Sequence, residues 1–263
     1  MPIHGRVLII AGSDSGGGAG IQGDIKTVSA LGGYAMTAIT ALTAQNTQGV
    51  FGIHPVPEDF IAAQIDLVLS DIGTDAIKTG MLHSAAVIDT VVKHLPSNIA
   101  LVVDTVMLAK GGASLLEPSA VDALRKRLIP RATIITPNLP EASLLLGRTI
   151  AESAIEQAAL DLLELGSKAV VLKGGHGQEA EITDVLAIAG QSPILLKTKR
   201  INTNHTHGTG CTLASAVATG LAQGLALEPA VRRAHAYVQQ AIANAPGFGQ
   251  GHGPLGHVPE KRN

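Results

Sequence analysis

Six short, mostly apolar segments punctuate this chain, at residues 6–11, 34–43, 75–78, 99–103, 133–136 and 169–172. A strand that is apolar on both faces has to be covered on both faces. Between these segments the spacing turns helical. Residues 57–69 place Ile61, Ile65 and Val68 on one face behind Pro57, Glu58 and Asp59, which suit a helix start. Residues 84–95 open on Ser84, an N-cap type. Residues 118–128 carry Val121, Leu124 and Leu128 on one face, and residues 229–243 carry Val231, His235, Val238 and Ile242. Residues 18–31, 153–165 and 210–223 also read as helices. Strands alternating with amphipathic helices predict an α/β fold, a parallel sheet between helical layers. Residues 182–188 and 194–199 are expected to pair as an antiparallel edge.

No linker or repeat interrupts residues 1–245, which predicts a single domain within the 263 residues. Residues 246–263 hold five Gly and three Pro and are expected to be extended or partly disordered. The hydrophobic fraction, 46%, supplies a substantial core. Charged residues are only 15% and the net charge is −2, so no basic field exists to attract nucleic acid. With two Tyr, three Phe and no Trp, base-stacking platforms are scarce as well. No segment approaches the ~20 apolar residues of a membrane span. The first apolar run is too short for a signal peptide and ends at Asp14. One cysteine forbids an internal disulfide and suits a reducing compartment, so the expected location is the cytoplasm.

Ligands of open α/β sheets bind beyond the carboxyl ends of the strands. Those ends carry Gly12-Ser13-Asp14-Ser15-Gly16-Gly17-Gly18-Ala19-Gly20, Ala44-Gln45-Asn46-Thr47, Thr79-Gly80-Met81, Asp104-Thr105-Val106-Met107, Pro137-Asn138-Leu139-Pro140-Glu141 and Lys173-Gly174-Gly175-His176. They would share one rim with His207-Gly208-Thr209-Gly210-Cys211-Thr212, a glycine turn opening a helix. Unpaired amides at a helix start bind anions, and the same position lowers a cysteine pKa. The segment therefore offers an anion hole and a possible base, which suggests phosphoryl chemistry.

Plainer readings stand beside these. Gly18-Ala19-Gly20-Ile21-Gln22-Gly23 matches the dinucleotide fingerprint G-x-G-x-x-G, but no acidic residue near Thr43 or Gln45 stands ready for a ribose. No Walker phosphate loop is present. Cys211 alone is more often a small buried residue than a catalyst. His205 and His207 could pair with it as in cysteine hydrolases, but such partners come from distant segments, and both imidazoles read equally well as exposed loop residues. Glu141 suits a first helical turn, and Lys173 a solvated strand end. The alternative for Asp104 and Glu141 is Mg²⁺ positioning. No transition-metal spacing occurs among the ten histidines.

Taken in order, these motifs, with Thr40 to Thr47 and Lys78 to Leu82, resemble the hydroxymethylpyrimidine/phosphomethylpyrimidine kinases of thiamine biosynthesis, in the ribokinase-like superfamily that also holds pyridoxal kinases. The likeness spans residues 5 to about 245. It implies a three-layer fold with a mostly parallel sheet of about eight to ten strands. It implies ATP-dependent phosphorylation of 4-amino-5-hydroxymethyl-2-methylpyrimidine and then of its monophosphate, with Mg²⁺, by a homodimer. Carried over by motif, Gln45 would bond the pyrimidine amino group and ring nitrogen. Gly12, Ala19, Met81 and Val106 would enclose the ring, with Asp24 near the hydroxymethyl end. The Gly208, Thr209, Gly210 and Cys211 backbone would hold the phosphoryl group. Asp104, Asn138 and Glu141 would organise Mg²⁺, and Lys173 and Thr136 would lie on the nucleotide side.

Two departures matter. Most superfamily relatives carry Asp where this chain has Cys211, which would be a weaker base. Several thiamine-pathway members carry Glu where this chain has Gln45, which leaves B6-vitamer or dual kinase activity as the alternative. A nicotinamide oxidoreductase and a non-catalytic vitamin-binding regulator are the readings from other classes.

Overall fold

The computed structural model describes residues 4–108, 115–175, 177 and 179–258; His176, named above in a rim motif, lies outside them, as do the last five residues. In chain order the elements are β1 (Arg6–Asp14), α1 (Gly20–Ala30), β2 (Tyr34–Asn46), β3 (Gly49–Pro55), α2 (Glu58–Asp71), β4 (Ala76–Thr79), α3 (Ala85–His94) and β5 (Ala100–Val103). There follow α4 (Ala120–Ala123), β6 (Ile134–Ile135), α5 (Leu139–Leu146), α6 (Ile155–Leu163), β7 (Ala169–Leu172), β8 (Glu181–Ile188), β9 (Ile194–Lys199), α7 (Thr209–Ala222) and α8 (Leu227–Ala243).

Among the described residues nine strands form one sheet in the order β3-β2-β1-β4-β5-β6-β7-β8-β9. β2, β1, β4, β5, β6 and β7 are mutually parallel, and β3 and β8 run antiparallel to their inner neighbours. The expected edge pair is β8–β9, in register from Glu181↔Lys199 to Leu186↔Ile194. Successive side chains of a strand leave by opposite faces. Leu8 and Ile10 therefore pack with Ile61, Ile65, Ile88 and Leu128, while Val7, Ile9 and Ala11 pack with Val28, Leu213, Val217 and Val231. This two-sided burial is why the strands read as continuous apolar runs. Helices α2 to α6 cover one face and α1, α7 and α8 the other.

The structure departs from the expected helix over 118–128. After α4 the chain makes a π-helical turn over Leu124–Leu128 and a 3-10 turn over Ile129–Arg131. Leu124 and Leu128 are buried as expected, and Val121 packs partly buried against them. Pro130 has no N–H to donate, so the α-helical bonding cannot run on. Residues 246–258 contain no helix or strand beyond a bridge between His207 and Pro254. They lie across the carboxyl rim of the sheet. The Gly251 N–H donates to Thr47 Oγ1, His252 N–H to the Thr47 carbonyl, and Gly256 N–H to the Ala241 carbonyl; Leu255 is buried. Among the described residues no helix is long and apolar enough to cross a membrane.

Candidate active site

Parallel register brings the strand ends together. The Asp104 N–H donates to the Thr79 carbonyl, Thr136 N–H to the Val103 carbonyl, and Lys173 N–H to the Pro137 carbonyl. Asp104, Thr136 and Lys173 thus follow β5, β6 and β7 side by side. Thr136 Oγ1 donates to Asp104 Oδ1 at 3.1 Å, and Lys173 Nζ stands 3.6 Å from the same oxygen. Asp104 is 3% exposed, and its Oδ2 has no hydrogen-bond partner among the described residues. Thr79 Oγ1 is also unpartnered, and both residues line a small cavity with Gly80, Leu82 and Val106. Burial alone would lower the Lys173 pKa, but Asp104 and Glu141 hold it above its ordinary value.

Helix α7 points its first turn at this cluster. Gly208 precedes it in the left-handed region, φ +88°, where only glycine sits without strain, and any side chain there would strike the Gly18 carbonyl. No side chain caps α7, and no acidic residue occupies its first turn. A methyl group on Gly210 would lie 3.1 Å from Lys173 Nζ and 3.7 and 3.8 Å from the Asp104 carboxylate oxygens. Uncapped helix-start amides, an ammonium and a carboxylate with a free oxygen therefore surround one point. Thr209 Oγ1 is turned back to the Thr206 carbonyl, 3.0 Å away.

Cys211 overturns one expectation. Its thiol is pushed up to about 12 by burial, against the nearby Lys78 ammonium and a hydrogen bond from the Gly20 backbone, which lower it. At neutral pH it is a neutral thiol. The helix start does not outweigh loss of solvent and the carboxylates of Asp24 and Asp104, which push the same way.

Asn138 and Glu141 form a reciprocal cap on α5: the Glu141 N–H donates to Asn138 Oδ1, and the Asn138 N–H to Glu141 Oε2, each at 2.9 Å. The plain reading of Glu141 as a first-turn residue is therefore what the geometry shows. Thr105 Oγ1 also donates to Oε2, at 3.1 Å, tying this cap to the residue after Asp104. Burial pushes Glu141 up to about 7, Lys173 opposing and Asp104 assisting.

Asp24 lies beneath the site. It is completely buried and bonded by Lys78 Nζ at 2.9 and 2.8 Å and by Ser215 Oγ at 2.6 Å, so its carboxylate faces these partners and not open space. Burial would lower Lys78, yet Asp24 and, farther off, Cys211 and Asp104 hold it well above its usual range.

The other end of the site is built by β1, β2 and the loop before α1. Met81 packs with Ala41 and Leu115, and Val106 lies against them. A methyl on Gly12 would come within 3.1 Å of Met81 Sδ. Gln45 is tied to the glycine-rich loop twice, its N–H to Ser15 Oγ at 2.9 Å and its carbonyl from Ser15 Oγ at 2.8 Å. Asp14 gathers the N–H groups of Gly16, Gly18 and Ala19 at 2.8, 3.1 and 2.8 Å and contacts His207 Nε2 at 2.8 Å. Burial would raise its pKa, but His207 and the Ala19 and Gly16 amides outweigh that and lower it. His207 is accordingly no exposed loop residue: its side chain is 13% exposed and touches Gln45 as well. His205 is half-buried. His257, pushed down to about 4 by burial, bonds Thr212 Oγ1 through Nε2 at 3.0 Å.

Asp14, Lys78 and Ser215 were not singled out by motif as site residues, and His207 was weighed only as a partner for Cys211. A charged residue inside a central apolar strand, as Lys78 is, is the one signal that could have marked its pair.

Comparison with known proteins shows the family of the chain. The profile of the phosphomethylpyrimidine kinase family matches residues 14–256. The chain is 47% identical to the hydroxymethylpyrimidine/phosphomethylpyrimidine kinase of Bacillus subtilis over 98% of its own length and 96% of that protein. It is 50% identical over 97% of its length to the thiamine biosynthesis bifunctional protein ThiED of Geobacter sulfurreducens, of which it spans only 52%. Among solved structures, an ADP complex of Bacillus subtilis pyridoxal kinase is 37% identical and superposes with a TM-score of 0.89, covering 97% of this chain and 98% of that one. With the expected ribokinase-like architecture present and the match spanning nearly the whole length, the chain belongs to the phosphomethylpyrimidine kinase family.

Proposed function

We propose that this protein transfers the γ-phosphoryl group of ATP to the hydroxymethyl oxygen of 4-amino-5-hydroxymethyl-2-methylpyrimidine, and then phosphorylates the monophosphate to the diphosphate, in the thiamine pathway. One observation carries the reading: the uncapped start of α7 meets Lys173 and the free oxygen of Asp104 at a single point, in a chain 47% identical to a kinase named for this reaction.

Phosphoryl transfer is mostly positioning and neutralisation of charge on the phosphoryl oxygens. Of the Gly208–Cys211 amides, those of Gly208, Gly210 and Cys211 supply donors where that charge develops, the Thr209 N–H being shared with the Thr206 carbonyl, and a single such donor is worth about 10²–10³ in rate. Lys173 neutralises the nucleotide phosphates from the β7 end, with Thr136 holding Asp104 in place. The substrate oxygen attacks phosphorus as the bond to the ADP oxygen breaks. Cys211, a neutral thiol, is no strong base, and the hydroxyl proton leaves late, to a phosphoryl oxygen. Gln45 holds the pyrimidine edge, Met81, Val106, Gly12 and Ala19 flank the ring, and Asp24 acts from below through Lys78.

Mg²⁺ fits this site. It is a hard cation held by one or two carboxylates together with water and phosphate oxygens. Asp104 offers a buried oxygen without a partner, and Glu141 a second carboxylate reached through Thr105. No cluster of three or more His, Cys, Asp or Glu able to hold a metal occurs among the described residues, and a nucleotide-borne ion needs none. When bound, the ion would screen the phosphate charge. A homodimer working in the cytoplasm completes the proposal.

ADP release measured with hydroxymethylpyrimidine, its monophosphate and pyridoxal side by side tests the reading. A kcat/KM for the two pyrimidines at least tenfold above that for pyridoxal supports it. The reverse order establishes the B6-vitamer alternative, which the likeness to pyridoxal kinase favours. No ADP with any of the three refutes both.

A further inference from the structure

Residues 246–258 have little apolar surface to anchor them: Leu255 is buried, whereas Phe248 is 66% exposed. Ordering a segment of this length costs conformational entropy at every residue, so other contacts have to hold it. Those contacts fall on the rim of the site. At one end, Gly251 and His252 donate their N–H groups to Thr47, two residues past Gln45. In the middle, the Gly253 carbonyl accepts the N–H of His207 at 3.1 Å, and a methyl group on Gly18 would lie 3.2 Å from Pro254 Cβ. At the other end, His257 Nε2 lies 3.0 Å from Thr212 Oγ1, and the same ring bonds the Leu255 backbone. The approach leaves no room for side chains along the way: one on Gly251 would strike the Thr47 carbonyl, and one on Gly253 would strike His205 Nδ1.

Two of these contacts bracket the first turn of α7. The Thr212 N–H donates to the Gly208 carbonyl at 2.9 Å and closes that turn. His207 is the residue before it, and Thr212, completely buried, is the residue that ends it. The amides of Gly208, Gly210 and Cys211 lie between. No side chain caps α7, and a helix start without a cap frays, because its first N–H groups have no partners within the helix. An ordinary capping side chain would stop the fraying by filling one of those amides. The tail instead grips the chain on both sides of them and leaves them open to a ligand.

We propose that residues 246–258 are a strap that holds the first turn of α7 in its phosphoryl-binding setting, with His257 as a positioning residue acting through Thr212. The inference rests on the functional reading above, in which the α7 amides bind the phosphoryl group. Because the strap is also tied to Thr47, it fixes the spacing between the pyrimidine end of the site and the start of α7.

The test follows ADP release and hydrogen–deuterium exchange of residues 208–213 in the full chain, in His257→Ala, His257→Gln and Thr212→Val, and in the double variant His257→Ala/Thr212→Val, at a temperature where each is folded by circular dichroism. Alanine loses the hold on Thr212, whereas a glutamine amide puts a polar atom where Nε2 stands. Displacing a positioning group by about 1 Å costs up to about 10²-fold in rate. In His257→Ala, kcat should fall about 10- to 100-fold with the pyrimidine KM within about twofold of the parent, and residues 208–213 should exchange about tenfold faster. His257→Gln should recover most of both. Thr212→Val should lose as much as His257→Ala, and the double variant no more than either, because all three remove one contact. A His257→Ala protein with the parent's kcat, a His257→Gln protein as slow as His257→Ala, or losses that add in the double variant overturn the proposal. So does a fall in kcat matched by an equal rise in the pyrimidine KM, which a general loosening of the site would give. If His257→Ala does not fold, Thr212→Val, which keeps the shape of the buried side chain, decides by the same kcat and KM criteria. An unaltered protein that forms no ADP from the pyrimidine overturns the functional reading; exchange then judges the strap by itself, faster in His257→Ala in its favour and unchanged against it.

Discussion

The state of Cys211 can be put to a quantitative test. Its thiol is pushed up to about 12, so at pH 8 the thiolate fraction is about 10⁻⁴ and grows tenfold with each unit of pH. If that thiolate took the substrate proton in the rate-limiting step, kcat would climb with unit slope from pH 7 to the limit of protein stability. Removing the sulfur would then cost about 10³-fold or more, some 4 kcal/mol of barrier. A loose transition state has little need of a base, because the attacking oxygen bonds late and stays weakly acidic until then. Cys211→Ala should accordingly keep kcat within about tenfold of the parent while leaving the α7 amides in place. The parent should show no unit-slope rise between pH 7.5 and 9. Both are read by coupled ADP release at saturating substrates. A unit slope in the parent that vanishes in a Cys211→Ala enzyme slowed by 10³ would refute the reasoning and restore the thiolate as base.

Other consequences follow from the same geometry. Gly210→Ala places a methyl group between α7, Lys173 and Asp104; kcat/KM for ATP should fall about 10- to 100-fold with little change in Tm, and an unimpaired enzyme would argue against a phosphate at that point. Glu141 is raised from an ordinary value of 4.5 to about 7, so between those values the folded chain keeps a proton that the unfolded chain has lost. Stability should therefore fall as pH rises through this window, and Glu141→Gln should flatten the change in urea midpoint. Bound Mg²⁺ favours the ionised form, so nucleotide binding with the metal at pH 6.5 should release a proton, seen as a buffer-dependent heat in calorimetry and absent in Glu141→Gln. Lys78→Met leaves the Asp24 carboxylate buried without its ion partner and should cost about 3–5 kcal/mol in urea unfolding. Adding Asp24→Leu should recover part of that loss, and no recovery would contradict the pairing.

Much of the fold was legible because burial on two faces leaves a simple mark. The runs around Val7 to Ala11, Val102 and Val170 are apolar at every step, the run around Ile77 is broken only by Lys78 and Thr79, and each is a central parallel strand. β3 was not, since Gly49, Gly52 and Pro55 mask an edge strand whose pairing with β2 comes from the turn between them. α5 was hidden behind Pro137 and Pro140, although Asn138 and Glu141 spell its cap. The segment from 118 to 128 kept its buried leucines and lost its regular helix to the approach of Pro130. At the site, motif order placed Asp104, Thr136, Lys173 and Gly210 together because parallel strands end on one rim. Pairs such as Asp14 with His207 or Lys78 with Asp24 join residues far apart in the chain, and no local pattern encodes which partners the topology will bring within 3 Å.

The central claim is that main-chain amides at the start of α7 hold the phosphoryl group that ATP gives up, between Lys173 and Asp104. A crystal structure with a non-hydrolysable ATP analogue and Mg²⁺ tests it most directly. The terminal phosphate should lie within hydrogen-bond distance, about 2.7–3.2 Å, of at least two of the backbone nitrogens of Gly208 to Cys211. A terminal phosphate bound elsewhere on the rim, with those amides turned to solvent, would contradict the account.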